Sequence, residues 1–338
     1  MSELTSEGRP QTGLLPNGQR PRPVSAWNRI AGNQGRNLWF LAFALPFVAG
    51  LLVFVYIPIG WSAYLSFFDA RATVHPTKFV GLANYRYLLG DPMFRSSIGT
   101  FVLFAAFIVP VTYVCSLGLA LLLDGVRVGR AFFRSVFFIP TAVSYVVAAM
   151  VWRLSFFNGA RFGLANSLLR SVGGENKAWL LGGDNYWYWF VVISLRLWLQ
   201  VGFYMILIIA GLNRIPQDTY EAAAIDGATG WRKLRWITLP QLRTTTVAVL
   251  MLLLISAFQA FDEFFNLFGA IGSYPTFARP PLVHLYLLSL GGSQADLGLG
   301  GAGTMIVTAL IVIFGLAQNW LLGRSERKES GTMRGSRP

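Results

Sequence analysis

The segment Glu221-Ala222-Ala223-Ala224-Ile225-Asp226-Gly227 is followed, nine residues later, by Ile237-Thr238-Leu239-Pro240. Both stretches belong to a polar loop, at about residues 213–243, that separates the apolar runs 187–212 and 247–268. The three alanines have high helix propensity, and Gly227 permits a bend. A helix-forming polar loop between two apolar runs of membrane length indicates an ordered platform on which another protein docks.

The composition of the chain is that of a membrane protein. Apolar residues make up 54% of it and charged residues only 13%, with 27 Phe, 11 Trp and 12 Tyr. A bilayer core about 30 Å thick requires about 20 apolar residues per helix. Six runs qualify, at residues 38–67, 97–123, 132–152, 187–212, 247–268 and 304–322. The sequence therefore predicts an all-α integral membrane protein with six transmembrane helices.

The distribution of Lys and Arg predicts the orientation of these helices. With six spans, eighteen of the 28 cations fall in the two termini and in the even-numbered connections, nine fall in the odd-numbered connections, and Arg196 lies within a span. Because cytoplasmic loops carry the excess of Lys and Arg, we expect both termini and the 213–243 loop to be cytoplasmic. The formal charge of +13 then reflects topology and anionic lipid, since no nucleic-acid-binding motif accompanies it.

Three segments divide the chain. Residues 1–37 are rich in Gly, Pro, Arg and Ser without apolar periodicity, which predicts a disordered, basic cytoplasmic tail. Residues 38–323 form the six-helix membrane domain, and residues 324–338 form a second basic cytoplasmic tail. The first apolar run is too long for a signal peptide and is expected to remain in the membrane.

The loop resembles the EAA loop of permease subunits of bacterial type I ABC importers. It has the Glu-Ala-Ala start at Glu221, the glycine hinge at Gly227 and the Ile-x-Leu-Pro end at Pro240, all at the spacing of that family. Three more segments look like the carbohydrate-uptake branch, of the maltose and glycerol-phosphate permease type: FVGLANY at 79–85, FRSVFFIP at 133–140 and GLANSLL at 163–169.

This resemblance implies a function in transport. The loop would be a helix-turn-helix knob that inserts into a separate ATPase subunit, where ATP and Mg²⁺ are bound, so this chain would bind no cofactor. The expected partners are a second permease chain in a heterodimer, two ATPase chains and an extracytoplasmic solute-binding protein, in a bacterial plasma membrane. The coupling residues carried over from the family are Glu221, Ala222, Ala223, Asp226, Gly227, Leu239 and Pro240.

Local signals predict two helices in the loop. Pro216 suits a helix start, and a second short helix should begin at Trp231 and be ended by Pro240. No Gly-x-x-x-x-Gly-Lys-[Ser/Thr] motif occurs, so this polypeptide is not expected to hydrolyse ATP. His75 and His284 are isolated, and Cys115 is the single cysteine, so we predict neither a metal site nor catalytic residues.

Polar residues inside apolar runs mark the candidate substrate pathway, because they cost free energy unless they pair or face water. Two stripes flank the loop at helical spacing. One consists of Arg196, Gln200 and Phe203, and the other of Ser256, Gln259 and Glu263, with Asp262 beside it. Carboxylate, amide and guanidinium groups near aromatic rings such as Phe203 or Tyr204 suit a sugar or related polyol.

Other interpretations remain open. Arg196 could pair with Asp262 or Glu263 and only lock two helices together, and the two carboxylates could instead form a gate. Arg196 could also recognise an anionic polyol phosphate such as glycerol phosphate, since guanidinium binds phosphate in a bidentate manner. In a different functional class, the same charges could serve an ion-coupled carrier, or the chain could be a membrane receptor or scaffold.

Overall fold

The computed structural model describes residues 26–334, except residues 72, 77, 127, 160–162, 181–185, 270–273 and 292–294. Residues 1–25 of the predicted N-terminal tail and residues 335–338 of the C-terminal tail lie outside the described residues. The first helix begins at Ala26, before the predicted start of the membrane domain, and the last helix runs to Arg334, within the predicted C-terminal tail.

Helices account for nearly all of the described architecture. The α-helices are α1 (Ala26–Leu51), α2 (Ile57–Leu65), α3 (Ala83–Gly90), α4 (Pro92–Gly125), α5 (Arg130–Phe138), α6 (Tyr145–Val151), α7 (Leu164–Ser171), α8 (Trp187–Leu212), α9 (Gln217–Ile225), α10 (Gly230–Lys233), α11 (Leu239–Gln241), α12 (Arg243–Phe258), α13 (Asp262–Phe268), α14 (Pro281–Leu290) and α15 (Leu297–Arg334). Two short antiparallel strands, β1 (Phe68–Asp69) and β2 (Lys78–Phe79), lie between α2 and α3.

Five helical stretches in the described residues are long and apolar enough to cross a membrane. They are Trp39–Leu65, Pro92–Gly125, Trp187–Leu212, Arg243–Phe268 and Leu297–Gln318, and a bent pair, Arg130–Ala142 with Tyr145–Phe156, makes a sixth if it is counted as one span. We number these spans one to six in chain order, the bent pair being the third. The predicted all-α membrane architecture is confirmed.

The third span differs from the continuous helix predicted for residues 132–152, because its two halves are bent by 94°. The break follows Pro140, which lies in a short 3-10 helix, Ile139–Ala142, and cannot donate a backbone hydrogen bond. Val143 is extended, and Ser144 then starts α6 by accepting a hydrogen bond from the Val146 amide. This combination of proline and N-cap explains the sharp change in direction.

The core of the residue 62–338 unit is centred on α4 and α8. One buried cluster joins these two helices to α6 and α13, and a second joins them to α12. Two backbones approach closely at Gly202 of α8, where an added Cβ would lie 1.8 Å from the carbonyl oxygen of Phe137 in α5. Only glycine allows α8 to contact the chain immediately before the bend in the third span.

The loop between the third and fourth spans is organised by Asn166, which is fully buried. Its Oδ1 accepts hydrogen bonds from the Lys177 amide (3.0 Å) and from Trp179 Nε1 (2.9 Å). Its Nδ2 donates to the carbonyl oxygens of Asn158, Gly159 and Lys177. One amide side chain therefore connects the start of the loop, α7 and the segment that leads to the fourth span.

Candidate translocation site and coupling loop

The first half of the 213–243 loop is a capped helix. Helix α9 begins after Pro216, and Gln217 donates a hydrogen bond to Glu221 one turn later (3.0 Å). It ends in a Schellman motif at Gly227, whose φ is +74°. The Gly227 amide bonds to the Ala224 carbonyl oxygen at 3.1 Å and the Ala228 amide to that of Ala223 at 2.8 Å. The predicted bend therefore has a defined backbone geometry.

The second half corrects one prediction, because Pro240 does not end the helix. The chain passes from α10 through a π-helical turn, Leu234–Thr238, into α11, and Pro240 lies inside α11. In an α-helix the proline ring would clash with the carbonyl group four residues earlier. Here that residue, Trp236, lies in the wider π turn, and the Leu242 amide bonds to the Thr238 oxygen at 2.9 Å.

The two halves of the loop contact each other beneath an exposed surface. Lys233 Nζ lies 4.2 Å from the centre of the Tyr220 ring. Three large apolar side chains, Ile225, Trp231 and Trp236, are 87%, 72% and 73% exposed. Of the predicted coupling residues, Ala223 is buried, Leu239 is half-buried, and Glu221, Ala222, Asp226, Gly227 and Pro240 are exposed.

A buried ion pair links the fourth and fifth spans. Arg196 of α8 pairs with Glu263 of α13, and each side chain is only 3% exposed. The guanidinium group also lies over the Phe104 ring, at 5.3 Å. Of the two carboxylates considered as partners in the sequence, Glu263 pairs with Arg196, whereas Asp262 is exposed and belongs to none of the ion pairs in the described part of the chain.

Ser256 extends this pair into a polar network. Arg196 Nη2 donates to the carbonyl oxygen (2.5 Å) and to the Oγ (3.0 Å) of Ser256. Gln200 Nε2 donates to the same Oγ and to the hydroxyl group of Tyr145, each at 2.8 Å. Both predicted polar stripes therefore meet, at Arg196, Gln200, Ser256 and Glu263.

Gln259 is not part of the network, because the fifth span is interrupted. Helix α12 ends at Phe258 and α13 begins at Asp262, with Phe261 at φ −136° and ψ −59° between them. The continuous helical stripe predicted through Ser256, Gln259 and Glu263 is therefore wrong. The change in backbone direction leaves Gln259 exposed, while Ser256 and Glu263 both face Arg196.

A cavity of about 250 Å³ lies between the bend of the third span and α8. Its lining residues are Thr141, Val143, Tyr145, Leu199, Gln200, Phe203 and Tyr204. The bend is attached to α8 by the hydroxyl group of Thr141, which donates to the Leu199 carbonyl oxygen at 3.1 Å. Thr141 and Tyr145 were missed in the sequence, although the Pro140-to-Ser144 break signal marks the place where they line a cavity.

A second polar cluster lies where α14 meets the start of α4. Burial lowers the pKa of His284, the nearby Arg279 lowers it further, and Asp91, with Oδ2 3.8 Å from Nε2, raises it. Asp91 also caps α4 by accepting hydrogen bonds from two backbone amides.

No group of three or more metal-ligating side chains that could hold an ion occurs within the described residues.

Comparison with known proteins agrees with this architecture. Residues 113–329 match the family described as "Binding-protein-dependent transport system inner membrane component". The chain is 31% identical to the trehalose/maltose transport system permease protein MalF of Thermococcus litoralis, over 80% of this chain and 88% of that protein. It is 32% identical to the arabinooligosaccharides transport system permease protein AraP of Bacillus subtilis, over 83% and 87%.

A solved structure shares the fold. It is a bacterial ABC transporter involved in the import of the acidic polysaccharide alginate, with a TM-score of 0.75, 22% identity, and coverage of 88% of this chain and 99% of that one. The family match spans more than half of the sequence, and two relatives above 30% identity cover most of it. The chain therefore belongs to the family of binding-protein-dependent transport system inner membrane components and is a multi-pass permease of the ABC importer type.

Proposed function

We propose that this chain is the membrane-spanning subunit of an ATP-driven importer that moves a neutral sugar or related polyol inward by alternating access. Relatives named for trehalose and maltose or for arabinooligosaccharides support a carbohydrate. The observation that carries the proposal is the chemistry of the 250 Å³ cavity, whose polar lining among the described residues is uncharged.

The hydrogen-bonding state of the cavity wall suits a hydroxyl group. Both N–H groups of the Gln200 amide already donate hydrogen bonds, one to Tyr145 and one to Ser256. The Oε1 atom therefore remains as an acceptor for a solute. The Tyr145 oxygen accepts from Gln200 and keeps its own proton for donation. A solute hydroxyl both donates and accepts, so it complements this pair. Phe203 is 39% exposed and offers an apolar ring face for the sugar ring.

The ion pair argues against an anionic solute. Arg196 is buried, neutralised by Glu263 and absent from the cavity lining, so its guanidinium group is not presented to a phosphate. The same pairing argues against an ion-coupled carrier, because Arg196 and Glu263 are buried against each other and neither charge is presented to a coupling ion. The residues proposed for the solute pathway are therefore Gln200 and Phe203 from the sequence, with Tyr145 and Thr141 added.

The exposed loop supports coupling to an ATPase. Its two-helix surface, with Ile225, Trp231 and Trp236 uncovered, offers more apolar area than an isolated polar connector needs. In the proposed cycle, closure of two ATPase chains moves this loop on the cytoplasmic side, and the spans open the cavity to alternate faces of a bacterial plasma membrane. ATP and Mg²⁺ bind to the ATPases, a second permease completes the pathway, and a loaded binding protein docks on the outer face.

Stimulated ATP hydrolysis tests this function. The chain is reconstituted in nanodiscs with its second permease, ATPase and binding protein, and hydrolysis is measured across neutral sugars and polyol phosphates. We expect a neutral solute to stimulate ATP hydrolysis. In Tyr145→Phe and Gln200→Ala, the solute KM of this stimulation should rise about tenfold, because each variant loses about one hydrogen bond to the solute. Tyr56→Phe, at an exposed tyrosine of the first span, is the matched control. Stimulation by polyol phosphates alone would overturn the neutral assignment.

A further inference from the structure

The break in the fifth span is held on both sides by one side chain, Arg196. The guanidinium group donates to the Ser256 carbonyl oxygen, in the last turn of α12, and pairs with Glu263, in the first turn of α13. Residues 259–261, between these contacts, are not helical. Arg196 comes from the neighbouring helix α8, so it bridges the break from outside.

Helix chemistry explains why a cation and a carboxylate occur at these places. The last carbonyl groups of a helix have no partner within it, and they carry the negative end of the helix dipole. Arg196 places a positive charge at that end of α12 and donates to the Ser256 carbonyl oxygen, which also accepts a hydrogen bond from the Gln259 amide at 3.2 Å. Glu263 places a negative charge at the positive N-terminal end of α13. The pair therefore complements both helix ends created by the break.

The same pair is connected to the cavity through a single atom. Ser256 Oγ accepts one hydrogen bond from Arg196 and another from Gln200. The hydrogen bond to Ser256 thus holds the Gln200 side chain in place, and Gln200 in turn orients the hydroxyl group of Tyr145. Neither Arg196 nor Glu263 lines the cavity.

We propose that Arg196 and Glu263 are a positioning pair that fixes the break in the fifth span and, through Ser256, aligns Gln200 and Tyr145 in the cavity. They do not contact the solute. The alignment of the cavity rests on the proposed function, whereas the fixing of the break does not. A change in the pair therefore alters the geometry of α12 and α13 even when no solute is present.

Distances between spin labels test the fixed break without any transport assay. Cys115, the single cysteine, is replaced by serine, and nitroxides are placed at residues 248 and 266, on α12 and α13. An unbroken helix would place these two positions about 27 Å apart, from a rise of 1.5 Å per residue, which sets the scale of the label distance across the break. In the assembled transporter in nanodiscs we expect one narrow distance distribution for the otherwise unchanged chain.

The decisive variant is Arg196→Met/Glu263→Met, because removal of both partners leaves no unpaired buried charge. We expect it to assemble better than Glu263→Met alone and to show a distribution that is broadened or split. Asp124→Asn, which breaks the partly exposed Arg130–Asp124 pair, is the matched control and should keep the narrow distribution. A double variant as narrow as the control would overturn the proposal.

Ser256→Ala separates the two parts of the proposal. It removes the shared Oγ but keeps the carbonyl oxygen that Arg196 contacts, so we expect the narrow label distance to remain while the solute KM rises several-fold. If the KM is unchanged, the link to the cavity is refuted. If no solute stimulates any variant but the double variant still broadens the distance, the proposed function fails and the fixed break stands.

Discussion

Replacing Gly202 by alanine puts a methyl group at the point where α8 contacts the chain before the bend of the third span. The added Cβ would lie 1.8 Å from the Phe137 oxygen and 2.6 Å from its carbonyl carbon, against 3.4–4 Å for ordinary contact. The two backbones must therefore separate by more than 1 Å. Overpacking of this kind costs about 1–3 kcal/mol, because a backbone atom cannot rotate away as a side chain can.

Gly118→Ala is a matched control for this variant. Gly118 lies inside α4, and nothing lies within 4 Å of its added Cβ. There the alanine should stabilise the helix by about 0.5–1 kcal/mol through lower backbone entropy in the unfolded chain. Thermal unfolding of the purified complex measures both effects.

The Gly202 variant should also weaken transport. The displaced segment leads to Thr141, whose hydroxyl group bonds to Leu199 across the cavity. We expect Gly202→Ala to unfold at a lower temperature than the unchanged protein and to have a higher solute KM, whereas Gly118→Ala unfolds at the same or a higher temperature. If Gly202→Ala were as stable as Gly118→Ala, the close approach and the reasoning built on it would be refuted.

Three further changes test other parts of the chain. Gly227→Ala forces an alanine to φ +74°, at a cost of about 1 kcal/mol, and should reduce ATP hydrolysis coupled to uptake, while Gly90→Ala, with open space around it, should not. Asn166→Ala removes five hydrogen bonds and should make the 157–180 loop cleavable by limited proteolysis, with hydrolysis in the absence of binding protein unchanged. Burial lowers the pKa of His284 below its usual 6.5, so the unfolded chain takes up a proton at a higher pH than the folded chain does. The contribution of His284 to the free energy of unfolding is therefore fully present above about pH 6.5 and is lost as the pH drops. A thermal unfolding series from pH 8 to pH 5 should show this decline, and a His284→Gln variant whose stability fell equally would contradict the assignment.

The sequence predicted the spans well because hydrophobic length is a direct requirement of the bilayer. The EAA-type loop was equally accessible, since its glycine and alanines act locally: the Schellman motif at Gly227 follows from residues close in the chain. The prediction that Pro240 ends the helix is wrong, because that rule applies to α-helical turns and not to the π turn that precedes Pro240 here.

The breaks in the third and fifth spans differ in whether the local sequence predicts them. In the third span, Pro140 and Ser144 are local signals for a break. The break at residues 259–261 has neither proline nor glycine. It depends on Arg196, sixty residues away from Ser256 in the chain, and such a tertiary contact has no local signature. The loss of Gln259 from the predicted stripe follows from this break in the fifth span, whereas the absence of Tyr145 from the predicted site follows from the bend of the third span.

Uptake of a labelled neutral sugar into proteoliposomes that contain the complete transporter tests the central claim most directly. The account predicts accumulation that requires ATP on the ATPase side, persists with a protonophore and is lost in Gly227→Pro, because proline cannot adopt a φ of +74°. Uptake that continues without the ATPase and collapses with the protonophore would contradict it and would identify an ion-coupled carrier.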